Sequence, residues 1–356
     1  MSPDPSADQA QRERRRRILR IALAVALGLV VAETLEKPFS FLTPLFAFQL
    51  LLNLRGAPSP RQGIGFVLVI VVASGLALGL ANALQDFPIV YLLVLGLIFF
   101  GCFHMQLAGK GGPLPGMLLA CNAMVPVLAV ISRDIAQGFV WIMIFSACGA
   151  VLLAWLAYAL VPASLETPAP AGRTVEAPDT AGRMRTALAC TLIVMPSLVH
   201  YLADDAEVSV VVLVTIVTVL GQRAEMRQRA AFGLLLGNLL GGVLASLVYY
   251  ATAMLPWLPF LFLMTLAAAL VLAEGATRAA PEAGLYALAM PTFLILLGLG
   301  LTPITDGSGA AFVSRIVDVA LASLYALAGI ILLLPRGRVL PDRRSEHPAA
   351  ATTNNV

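Results

Sequence analysis

Long apolar runs separated by short polar breaks dominate this chain. A helix crossing a bilayer needs about 20 apolar residues in succession. On that rule the pattern predicts spans over 18–35, 39–54, 62–84, 87–106, 114–131 and 136–161. A second set falls over 185–203, 207–221, 230–252, 256–274, 282–302 and 310–335. The segments over 39–54 and 207–221 are short for a full crossing. Each is expected either as a tilted span or as a partial helix sheltered by its neighbours. Residues 1–17 are expected as a disordered basic N-terminal tail, and 336–356 as a basic, then polar, C-terminal one. Between the two sets, 162–184 is rich in Pro, Ala, Thr and Glu without apolar periodicity, which reads as a cytoplasmic linker.

The two sets repeat a construction. In the stretch QRAEMRQRAAFGLLLGNLLGG, Arg223, Arg227 and Arg229 lead into an apolar helix carrying Gly233, Gly237 and Gly241. Glycines at every fourth position share one helix face, and in a bilayer such a face admits a neighbouring helix to backbone contact. Earlier, Arg55 and Arg61 precede a helix with Gly75 and Gly79, and one constant shift lays Arg61 on Arg227, Phe66 on Phe232 and Gly75 on Gly241. The expected fold is therefore all-α, with about twelve transmembrane helices arranged as a six-helix repeat over 18–161 and another over 185–335.

Composition fits that expectation: 59% of residues are hydrophobic and 12% charged, where soluble domains carry about 25% charged. The basic start followed by an apolar core resembles a signal peptide, but Val31-Ala32-Glu33 makes a poor cleavage site and eleven apolar segments follow. Charge placement orients the chain. With the N-terminus inside, 20 of the 23 Lys and Arg residues fall in cytoplasmic segments, and the outer connections are acidic or neutral. Both termini are then cytoplasmic, and two halves of six spans enter from the same side as parallel repeats.

The basic loop into Gly233-Leu-Leu-Leu-Gly237, the preceding short helix with Ser209, and the closing helix with Ser314-Arg315-Ile-Val-Asp318 carry a resemblance. So do Thr43-Pro44, Arg61 and Gly75 in the first half. The chain resembles the fusaric acid resistance and aromatic acid exporter superfamily over about residues 18–335, in its short branch without the large cytoplasmic domains. Leu234 stands where the family usually has Thr. The resemblance implies a bacterial inner-membrane efflux transporter for small amphipathic or aromatic anions. Such proteins often work with a periplasmic adaptor and an outer-membrane channel. Related plant proteins are anion channels, which keeps a channel open as an alternative, beside a non-transporting membrane scaffold of an envelope complex.

The cations outside the cytoplasmic segments are Lys37, Arg133 and Arg315. Charge within a span is costly and marks either local pairing or a pathway. Glu33 lies four residues before Lys37, Asp134 adjoins Arg133, and Asp318 follows Arg315 by one turn, so pairing is one reading. A cationic lining for an anionic substrate is the other. Proline breaks the fifth helix of each half, Pro126 after Asn122 and Pro291 beside Thr292. Matched breaks point to a transporter's central site. Gln49 and Thr215 occupy equivalent places on the short helices and complete the expected pathway. Glu33 and His200 are candidates for proton coupling, and Arg61, Arg223, Arg227 and Arg229 form a cytoplasmic basic motif. Cys102, Cys121, Cys148 and Cys190 sit in apolar runs without metal-ligand spacing. No HExxH, GxSxG, CxxC or P-loop occurs, so neither an enzyme nor a cofactor or metal is expected. The expected partners are the bilayer and a small organic anion, with no nucleic acid, and self-association is left open.

Overall fold

Hydrocarbon offers a backbone no hydrogen-bonding partner, so a chain crossing it must satisfy its N–H and C=O groups internally. The computed structural model describes residues 5–36, 39–54, 56–109, 114–162, 180–203, 228–278, 282–301 and 309–333. Among these residues all regular structure is helical. The first half contains α1 (Pro5–Thr34), α2 (Leu42–Asn53), α3 (Pro60–Leu84), α4 (Pro88–Leu107), α5 (Leu114–Ile131) and α6 (Arg133–Leu160). The second contains α7 (Thr180–Ala203), α8 (Gln228–Met254), α9 (Leu258–Ala276), α10 (Ala283–Leu301) and α11 (Gly309–Leu333). The span expected over 207–221 lies outside the described residues. Among the described residues seven helices, α3 to α6 and α8 to α10, are long and apolar enough to cross a membrane. The chain is a multi-pass membrane protein.

The α1 helix begins at Pro5, well before its apolar stretch, which corrects the expectation of a disordered tail over 1–17. The short helix α2 is sheltered. Its 12 residues rise about 18 Å at 1.5 Å each, less than the hydrocarbon core. Leu42, Pro44, Leu45, Phe46, Ala47, Phe48, Leu50 and Leu51 are all buried, against α1, α6 and α10.

Helix α3 starts with a capping box: the Gln62 N–H donates to the Ser59 hydroxyl at 3.3 Å, and the Ser59 N–H to the Gln62 side-chain oxygen at 3.0 Å. Pro60 occupies the first turn, where no N–H is missed. Buried positions Ile70, Ala73, Ser74, Ala77 and Ala81 line one face of α3. Ile64, Leu68, Val72 and Leu76 are exposed on the other, as a lipid-facing stripe should be. Gly75 and Gly79 belong to that outer face, and a Cβ added at either meets nothing within 4 Å. Among the described residues, therefore, no other helix packs on either glycine. The Ala73-Ala77-Ala81 row lies on the opposite side of the helix and supplies the close contact instead.

In the second half the glycine face is covered. A Cβ on Gly237 would stand 2.8 Å from the Leu285 carbonyl oxygen and 3.2 Å from Leu288 Cβ. One on Gly241 would collide with the Ala289 carbonyl oxygen and stand 2.9 Å from Thr292 Cβ. Helices α8 and α10 thus touch backbone to backbone. The partner helices follow a pattern. Helix α3 packs on α5 as α8 packs on α10, while α1 packs on α9 and α4 on α7.

Candidate functional site

Polar groups at mid-depth are costly in a bundle of this kind unless they bond to one another. Three do so in the second half. Asn238 of α8 donates from Nδ2 to the Ser323 hydroxyl of α11 at 2.5 Å. Thr292 of α10 donates its hydroxyl to Asn238 Oδ1 at 2.7 Å. All three residues are buried, and the cluster joins three helices. It forms where Gly237 and Gly241 let α10 approach and where Pro291 interrupts the ladder. The Pro291–Thr292 feature was legible from sequence. Asn238 and Ser323 were not singled out, although Asn238 directly follows Gly237.

The first half places Asn122 at the equivalent break. It is fully buried halfway along α5, four residues before Pro126. Its Nδ2 donates to the Leu118 carbonyl at 2.9 Å, while its Oδ1 has no protein partner. Proline at position 126 also removes the N–H that would reach the Asn122 carbonyl. The unpartnered side-chain oxygen and the interrupted ladder therefore coincide at one residue. The Tyr91 hydroxyl of α4 and Thr265 Oγ1 of α9 are likewise buried without a partner. Among the described residues the other buried side-chain atoms without a partner are Gln85 Oε1 and the Nε atoms of Arg14, Arg17 and Arg183. A third proline, Pro196, lies inside α7.

The cations predicted for the outer side divide. Arg133, at the start of α6, is exposed and faces Asp86 across 3.9 Å, so its partner comes from the α3–α4 connection and not from the adjacent Asp134. Gln85 ties the same end of the bundle, donating to the Ala129 carbonyl at 3.1 Å. Asp318 is half-buried on α11, and Arg315 lies on the same helix one turn before it. Lys37, Thr215, Arg223 and Arg227 lie outside the described residues, as do the side chains of Arg229 and Arg315. Glu33 accepts a hydrogen bond from the Ser40 hydroxyl, which holds the carboxylate against the turn into α2. His200 is exposed near the end of α7, Gln49 is half-buried on α2, and Arg61 is exposed in the first turn of α3. Among the described residues, no hydrogen bond joins Glu33, Gln49, Arg133 or Asp318 to the Asn122 side chain.

Two apolar approaches between the halves occur at glycines. A Cβ on Gly298 of α10 would come within 2.6 Å of Phe41 Cβ, and one on Gly96 of α4 would lie 3.6 Å from the Met195 sulfur. No group of three or more His, Cys, Asp and Glu side chains suited to a metal occurs among the described residues.

Residues 183–329 match the family model described as fusaric acid resistance protein-like. Residues 17–157 match a model described as a protein of unknown function, DUF2955. No curated protein and no solved structure matches the chain.

Proposed function

With its second half a fusaric acid resistance protein-like domain, we propose that this chain is a bacterial inner-membrane exporter of small amphipathic or aromatic organic anions. The family match over 183–329 is the observation that carries the reading. The fold supports the architecture such a transporter needs. Contacts of α1 with α9 and of α4 with α7 are reciprocal, the first helix of each half meeting the fourth of the other. A two-fold axis along the membrane normal relating two parallel repeats produces that pairing. Twelve spans with both termini cytoplasmic follow if 207–221 supplies the counterpart of α2.

In this reading the pathway runs past the mid-depth acceptors at Asn122 and the Asn238–Thr292–Ser323 cluster toward Arg315, Lys37 and Arg133 at the outer ends. Gln49 and Thr215 on the paired short helices belong to it. Energy comes from the proton gradient, with Glu33 and His200 as the carriers, or from the anion's own gradient. A periplasmic adaptor and an outer-membrane channel would carry the substrate onward, and the chain performs no covalent chemistry.

Arg315 is the residue on which the proposal concentrates. A guanidinium is always charged and grips a carboxylate through two parallel hydrogen bonds, which lysine cannot reproduce. With Asp318 one turn away, substrate competes with a resident carboxylate, so the site releases as well as binds. Arg315→Ala is expected to abolish efflux of aromatic acids from cells at unchanged membrane protein level. Arg315→Lys should retain part of it with weaker apparent affinity, and Asp318→Asn should slow release. Normal efflux by Arg315→Ala at equal protein level overturns this assignment.

The apolar approaches of Gly298 to Phe41 and of Gly96 to Met195 favour a second reading, a membrane scaffold that transports nothing. Purified protein in vesicles separates the two: a scaffold leaves aromatic-acid flux at the rate of empty vesicles.

A further inference from the structure

The arginine-rich start of α1 divides by face. Arg12, Arg15 and Arg16 are exposed, whereas Arg14 and Arg17 are half-buried and Arg20 is 2% exposed. The inward set, spaced three residues apart, reaches the C-terminal ends of three other helices. Arg17 Nη2 donates to the Leu52 carbonyl of α2 at 2.6 Å. Arg20 Nε donates to the Val161 carbonyl just past α6 at 2.9 Å, while its Nη2 meets Glu13 at 2.5 Å and its guanidinium lies 4.5 Å over the Tyr158 ring. Arg14 Nη2 donates to the Glu274 carbonyl in the last turn of α9 at 3.2 Å.

Each acceptor belongs to a helix terminus that has lost its intrahelical donors. Each terminus also carries the negative end of a helix dipole, which a cation stabilises. The positive-inside rule accounts for arginines at this end of the bundle, but not for three of them converging on three termini. Two of those termini belong to the first half and one to the second.

We propose that Arg14, Arg17 and Arg20 form a cytoplasmic clasp. Arg17 and Arg20 fix α1 to α2 and α6 as one body. Arg14 is the latch between the halves, holding α9 against α1 and closing the cytoplasmic end of their interface. Resting on the exporter reading above, the clasp makes this conformation the one shut toward the cytoplasm, and the Arg14–α9 contact parts when substrate enters from that side. Arg14 is suited to the moving contact, because it is half-buried and its bond is the longest of the three. Arg20, fully buried and held by three groups, is suited to the fixed one.

The test measures distance and needs no substrate, so it stands or falls separately from export. Spin labels on Gln11→Cys and Glu282→Cys, with exposed Cys148 replaced by Ala, report the separation of the α1 start from the α9–α10 connection by pulsed electron resonance. The full-length protein should give one dominant short distance. Arg14→Gln should add a longer one, changing the ratio of closed to open populations by about fivefold or more. Arg15→Gln, which removes the same charge from the outer face, should leave the distribution unchanged. An unchanged distribution in Arg14→Gln overturns the latch, and so does equal broadening by Arg15→Gln, which would assign the effect to net charge.

Discussion

Glycine by itself says only that a helix face can be approached; the neighbour decides whether it is. Gly237 and Gly241 meet the backbone of α10, so Gly241→Leu must push apart two helices already at contact. Overpacking of this kind costs about 1–3 kcal/mol. A drop in melting temperature in detergent should show it, with Gly237→Leu close behind. Gly75→Leu faces open space and is expected to melt with the wild type. Equal melting of all three would mean that the α8–α10 contact is looser than its geometry. The same contrast explains what sequence could convey at this scale. Spacing revealed that both glycine rows are continuous faces, but only the azimuth of α3 within the bundle determines that its alanine row turns inward. Asn238 escaped notice for a related reason: an amide on a helix is ordinary until Thr292 and Ser323, 54 and 85 residues further on, arrive as its partners.

Helices were legible nearly to their ends, because a run of apolar residues in a bilayer has one stable backbone conformation. The spans expected over 114–131 and 62–84 correspond to α5 (Leu114–Ile131) and α3 (Pro60–Leu84). The extension of α1 back to Pro5 was not legible. Hydropathy sees where a helix enters hydrocarbon, whereas the basic turns of α1 are held by carbonyls of other helices. Helix direction also gives a test of topology. The α1 start shares an end of the bundle with the ends of α2, α6 and α9, and Asp86 with the α6 start lies at the other. A single cysteine at position 278 should therefore react with an impermeant maleimide only after cells are opened, and one at position 86 in intact cells. Labelling of position 278 from the periplasm would invert the orientation.

At the scale of the whole molecule, the pairing of α1 with α9 and of α4 with α7 makes each half incomplete without the other. Neither pairing could be read from one sequence, since both join segments far apart along the chain and depend on how the two halves face each other. The Arg14 bond shows what this means in time. Its acceptor lies 260 residues downstream, and at 5–20 residues per second the ribosome takes on the order of 15–50 s to deliver it. Throughout that interval the first helix is in the membrane with its latch unmade. A nascent chain arrested at residue 254 should be cut quickly by trypsin at Arg14, while the finished protein resists. Equal cutting of both would show that α1 is secured before α9 exists. The bonds of Arg17 and Arg20 to α2 and α6 can form early in synthesis, whereas the bond of Arg14 must wait for α9, so the three-point clasp closes in two stages.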